Sequence, residues 1–148
     1  MKHSIYHKYE KLLRKELVRA LGCTEPGAVG YAAAKAVAVL GEMPQHIDMY
    51  CSANIIKNVK SVNVPNSGGM KGIEAAAVLG LLSGVPEDAL EIFKHIDEPT
   101  IEQAKKMIEE GFCKVHLQEE EDEQNNNRKP GPESHGFVSS FFSCLRNV

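Results

Sequence analysis

The sequence predicts an α+β fold that is mostly helical and includes a small strand pair. Several segments repeat apolar residues at intervals of three and four, the spacing of helices with one buried face. Residues 47–64 instead alternate apolar and polar side chains, which is typical of short strands. The chain has 148 residues, 43% of them hydrophobic and 25% charged, so it corresponds to one globular domain or part of a larger one.

The first two predicted helices meet near Cys23. The first is amphipathic and ends at Gly22, a typical residue just after a helix end. Its apolar positions are Ile5, Tyr9, Leu12, Leu13, Leu17, Ala20 and Leu21. Thr24 is predicted to cap the second helix, with Glu25 and Pro26 in its first turn. That helix is apolar on nearly every face, so it is expected to be buried as far as Gly41.

The middle of the chain is predicted to form the strand pair and a second buried helix. Alternation places two short strands around residues 47–53 and 58–64. Residues 65–69, Pro-Asn-Ser-Gly-Gly, have the composition of a turn. The segment GIEAAAVLGLLSG that follows is almost wholly apolar and predicts a buried helix.

Two further helices and a strand are predicted before residue 119. A short helix begins at Pro86, with acidic residues early and basic residues late, as the helix dipole favours. Residues 100–103, Thr-Ile-Glu-Gln, form a capping box that opens a helix ending at Gly111. Residues 114–118 are compatible with a strand.

The composition changes sharply after residue 118, so residues 1–118 are predicted as one domain and 119–148 as an unrelated tail. The run EEEDEQNNN is acidic and asparagine-rich, which predicts a disordered segment. Three of the five phenylalanines then fall within the last twelve residues. We interpret this break as the result of a frameshift or another gene disruption.

Composition argues against several classes of partner. A net charge of −3 gives no basic surface for nucleic acid. No apolar run is long enough to span a membrane and no signal peptide is evident, so a cytoplasmic location is expected. The four cysteines contain no Cys-x-x-Cys spacing, so free thiols are expected in a reducing compartment and no zinc site is predicted.

Cys23 is the first candidate functional residue. It stands just before a helix start, where backbone N–H groups and the helix dipole favour the thiolate that a metal or an iron–sulfur cluster requires. The alternative is a buried, inert cysteine at a helix junction, which is a common position for this residue type.

Two further segments are candidates for substrate binding. In the turn, Ser67, Gly68 and Gly69 precede a helix and could expose backbone N–H groups to a carboxylate or phosphate. In the segment SANIIKNVK, the side chains of Asn54, Lys57 and Asn58 could orient a substrate. The alternatives are an ordinary turn and the solvated face of a half-buried strand.

Two blocks, ALGCTEPGAVGYAAAKA and CSANIIKNVKSVNVPNSGGMKGIEAAAVLG, resemble the L-cysteine desulfidase family. That family is related to the alpha chain of iron–sulfur L-serine dehydratases. The resemblance covers about residues 9–123 and implies that the chain is the N-terminal part of a larger serine-dehydratase-alpha-like fold.

The resemblance implies an oxygen-sensitive 4Fe–4S lyase that eliminates sulfide from L-cysteine, or water from L-serine, to give pyruvate and ammonia. The cluster is held by three cysteines, and its open iron acts as a Lewis acid. Carried onto this sequence, the resemblance makes Cys23 one cluster ligand, whereas the catalytic base is not assigned.

The other two cluster cysteines of that family lie in a C-terminal portion that has no counterpart here. One thiolate cannot hold a cubane cluster. The chain alone is therefore expected to be inactive unless a separately encoded C-terminal half completes it. The alternative function is a non-catalytic truncated remnant, or a small interaction module without a cluster.

Overall fold

A computed structural model describes residues 2–17 and 19–118 of the chain. The described elements, in order, are α1 Lys2–Glu16, α2 Thr24–Leu40, β1 Ile47–Cys51, α3 Ala53–Val59, α4 Gly72–Ser83, a 3₁₀ helix Pro86–Glu91, α5 Glu98–Glu109 and β2 Cys113–Leu117. Among these helices, none combines the length and apolar character needed to cross a bilayer. The predicted tail, residues 119–148, lies outside the described residues.

Helices α2 and α4 form the centre of the core, as their apolar sequences predict. The burial of α2 ends at Ala34, however, and Val39 near its C-terminus is 79% exposed, so the prediction that this helix is buried as far as Gly41 is wrong for its last turns. The axes of α2 and α4 approach closely where Gly30 of α2 meets Gly80 of α4. A Cβ atom placed on Gly80 would lie 2.3 Å from the carbonyl oxygen of Gly30. The ring of Phe93, which is fully buried, covers Gly30 from the side. Small residues at this crossing therefore set the distance between the two helices.

The strand pair exists, but its second strand is far along the chain from the first. Strands β1 and β2 are parallel and in register from Ile47 opposite Cys113 to Cys51 opposite Leu117. Met49 is buried with the two cysteines on the core side of this sheet. The fold class, α+β and mostly helical with a two-stranded sheet, is therefore confirmed.

The outer face of the sheet carries a polar contact between the strands. The Nε2 atom of His116 lies 2.6 Å from a carboxylate oxygen of Asp48. The His116 ring also stacks on Tyr50, with 4.8 Å between ring centroids. This hydrogen bond is the main reason that the pKa of Asp48 lies below its ordinary value.

The predicted second strand, residues 58–64, is wrong, because residues 53–59 form helix α3. Ser52 precedes this helix, and its hydroxyl accepts a hydrogen bond from the Ile55 N–H at 3.5 Å. The buried Val59 lies four residues after Ile55 and three after Ile56, and both isoleucines are partly buried, so the helix has one apolar face. In the rest of the predicted strand, residues 60–64, Asn63 forms an isolated antiparallel bridge with Lys71.

Helix α1 is shorter than predicted. It ends at Glu16, and an irregular segment leads to Gly22, whose φ of +78° is accessible to glycine at low cost. All side chains described in this helix are exposed, so no tertiary burial extends it through residues 17–21. Gly22 is therefore part of the connection to α2 and does not terminate α1.

The later elements form where they are predicted, but the residue that caps helix α5 differs from the predicted one. The helix predicted at Pro86 is a 3₁₀ helix, and the strand predicted at 114–118 is β2. Helix α5 begins two residues before the predicted Thr100, because an Asp97 carboxylate oxygen accepts a hydrogen bond from the Thr100 N–H at 3.0 Å. Asp97 is thus the capping residue.

Candidate functional site

The candidate site lies at the N-terminus of α2, where Cys23 is the residue that precedes the helix. Its backbone is extended, with φ −67° and ψ 136°, and the side chain is exposed. Thr24 was predicted to occupy this capping position but is the first helical residue. Pro26 follows inside the first turn, where a missing N–H breaks no helical hydrogen bond.

The thiol of Cys23 is paired with the carboxylate of Glu25. The Sγ atom donates a hydrogen bond to Glu25 Oε2 over 2.6 Å, and the Thr24 hydroxyl lies 3.4 Å from the same oxygen. This thiol donation is the largest cause of a raised pKa at Cys23, and the negative charge of Glu25 adds to it. The same bond is the largest cause of a lowered pKa at Glu25.

The sequence predicted that Cys23 favours the thiolate, but its surroundings in the structure favour the protonated thiol. Backbone N–H groups of Thr24 and Glu25 do lower the pKa of Cys23, as a helix start predicts. A carboxylate at hydrogen-bond distance outweighs them, because it stabilises the S–H form and repels the thiolate. The site thus pairs a protonated thiol with an ionised carboxylate.

Helix α3 brings one predicted residue to this pair. A hydrogen bond from the Asn58 side chain to Glu25 is the smallest of the causes that act on the pKa of Glu25, after that from the Cys23 thiol, which is the largest. Asn54 lies four residues before Asn58, on the same face of α3. Lys57 lies three residues after Asn54 and is therefore also close to it on the helix surface. All three of these α3 side chains are exposed. They remain candidates for substrate binding, with Asn58 the one that contacts the thiol–carboxylate pair.

The turn at residues 65–69 lies beside the same helix start. A Cβ atom on Gly22 would lie 3.3 Å from Cγ of Pro65, so the turn contacts the residue before Cys23. Ser67 is buried, and its hydroxyl donates to the Val64 carbonyl at 2.7 Å. The Ser67 side chain therefore holds the turn together and is not exposed to a ligand.

The two glycines of the turn keep the predicted potential for anion binding through their backbone. Gly68 and Gly69 have φ values of +66° and +93° and are exposed. Asn66, which the sequence interpretation did not single out, donates from Nδ2 to the Phe93 carbonyl at 3.1 Å. Its position in a Pro-Asn-Ser-Gly turn was the available signal, because asparagine tolerates the left-handed φ of +57° seen here.

The donor set around Cys23 does not fit an iron–sulfur cluster within the described part of the chain. In residues 2–17 and 19–118, no group of three or more His, Cys, Asp or Glu side chains is arranged to hold a metal ion. Cys51 and Cys113 are buried at the sheet, and Cys144 lies outside the described residues. A cubane cluster needs several thiolates, so Cys23 could contribute only one of its ligands.

A cavity of about 480 Å³ lies at the other end of α2, away from Cys23. Its apolar wall includes Val37, Leu40 and Met49, and Glu42 and Asp48 also line it. None of the predicted site residues lines this cavity, so it is separate from the candidate site.

Comparison with known proteins gives relatives but no activity. A relative from Lachnoclostridium phytofermentans is 49% identical over 111 residues, which is 75% of this chain and 27% of the relative. One from Treponema denticola is 45% identical over 114 residues, covering 77% of this chain and 26% of the relative. One from Parabacteroides distasonis is 40% identical over 111 residues. No family model and no solved structure matches the chain.

These comparisons correct the family assignment that the sequence motifs predicted. The three relatives are named UPF0597 proteins, a name that states no activity, and not L-cysteine desulfidases or serine dehydratases. The predicted assignment to the L-cysteine desulfidase family is therefore wrong. The chain is similar to UPF0597 proteins over about three quarters of its own length and spans about a quarter of theirs.

Proposed function

We propose that the described region contributes the Cys23 site to a lyase that acts on a small amino acid, L-cysteine or L-serine. The supporting observation is the convergence of three segments at one exposed point. Cys23 and Glu25 lie at the start of α2, and Asn58 lies in the last turn of α3. The turn at Pro65 contacts Gly22. The matched residues span only about a quarter of the length of the relatives, so we propose that the chain is inactive without the remaining part.

The proposed reaction is a β-elimination. A base removes the Cα proton, and the bond from Cβ to sulfur breaks with its electron pair leaving on sulfur as sulfide. The resulting aminoacrylate tautomerises to an imine, which water hydrolyses to pyruvate and ammonia. With L-serine the leaving group is water. The base stays unassigned, because the ionised Glu25 is held by hydrogen bonds from both Cys23 and Asn58.

The exposed polar groups suit the substrate's charged ends. Asn58 and the backbone at Gly68 and Gly69 offer hydrogen-bond donors for a carboxylate. The ionised Glu25 offers an acceptor for an ammonium group. Asn54 and Lys57 stand on the same short helix and are proposed to contact the substrate as well.

A 4Fe–4S cluster remains a proposal for the completed protein only. Cys23 would supply one thiolate after releasing its proton, and the other ligands would come from outside the described residues. When bound, such a cluster supplies a Lewis acid that polarises the substrate. We further propose that the protein acts in the cytoplasm and binds no nucleic acid, in keeping with its net charge of −3.

The second candidate is a non-catalytic interaction module without a cluster. The observation that favours it is the Cys23 thiol itself, which keeps its proton in the hydrogen bond to Glu25. A protonated thiol is a poor metal ligand and a poor nucleophile.

Activity separates the two candidates. The chain would be purified anaerobically with iron and sulfide, alone and with the residues of the Lachnoclostridium phytofermentans relative outside its matched 111-residue segment. We expect the mixture, and not the chain alone, to release pyruvate from L-cysteine or L-serine. Cys23→Ser should lower that release at least about tenfold, as changes at metal sites do.

Lys35→Ala is the matched control, since Lys35 is exposed on the same helix and lies about 18 Å along it from Cys23. It should leave pyruvate release unchanged. A mixture that forms a complex but makes no pyruvate from either amino acid would support the non-catalytic module. Full activity in Cys23→Ser would also contradict the proposed site.

A further inference from the structure

Helix α1 carries an apolar stripe that the described part of the chain leaves uncovered. The stripe consists of Ile5, Tyr9, Leu12 and Leu13, which are 54%, 60%, 53% and 55% exposed. Their spacing of four, seven and eight residues places them on one side of the helix. In contrast to α1, much of α2 and most of α4 are buried in the core.

A helix with an uncovered apolar stripe of this kind needs a packing partner to be stable. A 15-residue helix is marginal in water on its own, and most helical stability in proteins comes from packing of an apolar face. Every described side chain of α1 is exposed, so the rest of the described chain does not supply that packing.

We propose that the α1 stripe docks into the polypeptide that corresponds to the part of the UPF0597 relatives that this chain does not span. The matched segment is only 27% of the Lachnoclostridium phytofermentans relative, so most of that protein has no counterpart in the matched residues. The inference rests on the proposed function only in requiring that second part, which is either joined to this chain or made separately.

The charge of α1 indicates what the receiving surface is like. Its sequence KHSIYHKYEKLLRKE holds five Lys and Arg residues against two Glu, an excess of three positive charges. The whole chain has a net charge of −3, so this helix is basic within an acidic protein. The receiving surface is therefore an apolar groove bordered by carboxylates, the usual complement of a basic amphipathic helix.

Binding of the full chain to that polypeptide tests the inference. Isothermal titration would use the remaining residues of the Lachnoclostridium phytofermentans relative, and circular dichroism would follow helix content. We expect a complex and a gain of helical signal on binding. Replacing Leu12 and Leu13 together by Glu should weaken binding by about 100-fold or more, given the apolar surface lost, whereas Lys11→Gln should change it only a few fold.

Each competing occupant of the stripe has its own result. If the chain alone forms a dimer that the Leu12 and Leu13 changes dissociate, a second copy covers the stripe. If those changes lower the melting temperature of the chain alone, α1 packs within the same chain, in the cavity that Leu40 and Met43 line at the end of α2. Each of these two results overturns the inference. It is also overturned if the variant binds as tightly as the parent chain, or if the parent chain forms no complex.

The proposed lyase activity fails separately from the docking. If the complex depends on α1 but releases no pyruvate, the docking proposal stands and the lyase proposal fails. If the Leu12 and Leu13 changes alter neither binding nor pyruvate release, the docking proposal fails and the lyase proposal stands.

Discussion

Replacing Gly80 by Ala is expected to lower the free energy of unfolding by about 3 kcal/mol or more, the upper range for overpacked sites. The new Cβ would lie 2.3 Å from the carbonyl oxygen and 2.4 Å from Cα of Gly30, and a backbone cannot move aside as a side-chain end can. Helices α2 and α4 would have to separate along their whole contact. Urea unfolding followed by circular dichroism measures the change.

Gly27→Ala is the matched control, because it makes the same change in α2 where there is room. The added Cβ would lie 3.6 Å from the nearest atoms of Leu90, an ordinary contact. Alanine is the better helix former, so this variant should be neutral or more stable by up to about 1 kcal/mol. Equal losses in the Gly80 and Gly27 variants would contradict the close helix crossing.

Replacing Phe93 by Ala is expected to cost about 3–5 kcal/mol, the range for removing a fully buried aromatic ring. Phe93 is 0% exposed, and its ring lies against Gly30, which has no side chain of its own. Its carbonyl also accepts the hydrogen bond from Asn66, which ties the turn near Cys23 to the core. Alanine keeps that backbone carbonyl, so the variant should destabilise the core without removing the hydrogen bond from Asn66.

Leu117→Ala provides the comparison for Phe93, since Leu117 is 59% exposed at the end of β2. Its loss should stay within about 0.5 kcal/mol. Urea unfolding gives both values. A Phe93→Ala variant as stable as Leu117→Ala would show that the ring is not packed as the structure has it.

The helices α2 and α4 could be predicted because their sequences are apolar almost throughout, which favours burial. The exposure of Val39 could not, because it depends on which other elements reach the end of α2. Gly41 also ended α2 as predicted, with a φ of +79° that glycine adopts readily. Helix α3 could not be separated from a strand, because seven residues with two adjacent isoleucines fit either period. The capping hydroxyl of Ser52 decides for the helix.

The candidate site was predictable by segment but not by contact. Cys23, Asn58 and the turn at 65–69 were each singled out from local sequence, and tertiary packing brings them together. The role of Glu25 as the partner of the thiol depends on a side-chain rotamer, which sequence does not specify. Ser67 was predicted to bind substrate, but its burial within the turn is a tertiary property.

The thiol–carboxylate pair can be tested through the rate at which iodoacetamide alkylates Cys23 as a function of pH, read by peptide mass spectrometry. Because Glu25 raises the pKa of Cys23, Glu25→Gln should lower that pKa and speed alkylation at neutral pH. Glu42→Gln, an exposed change beyond the other end of α2, should leave the profile unchanged. A Glu25→Gln profile that matches the parent protein, or moves to higher pH, would contradict the site described here.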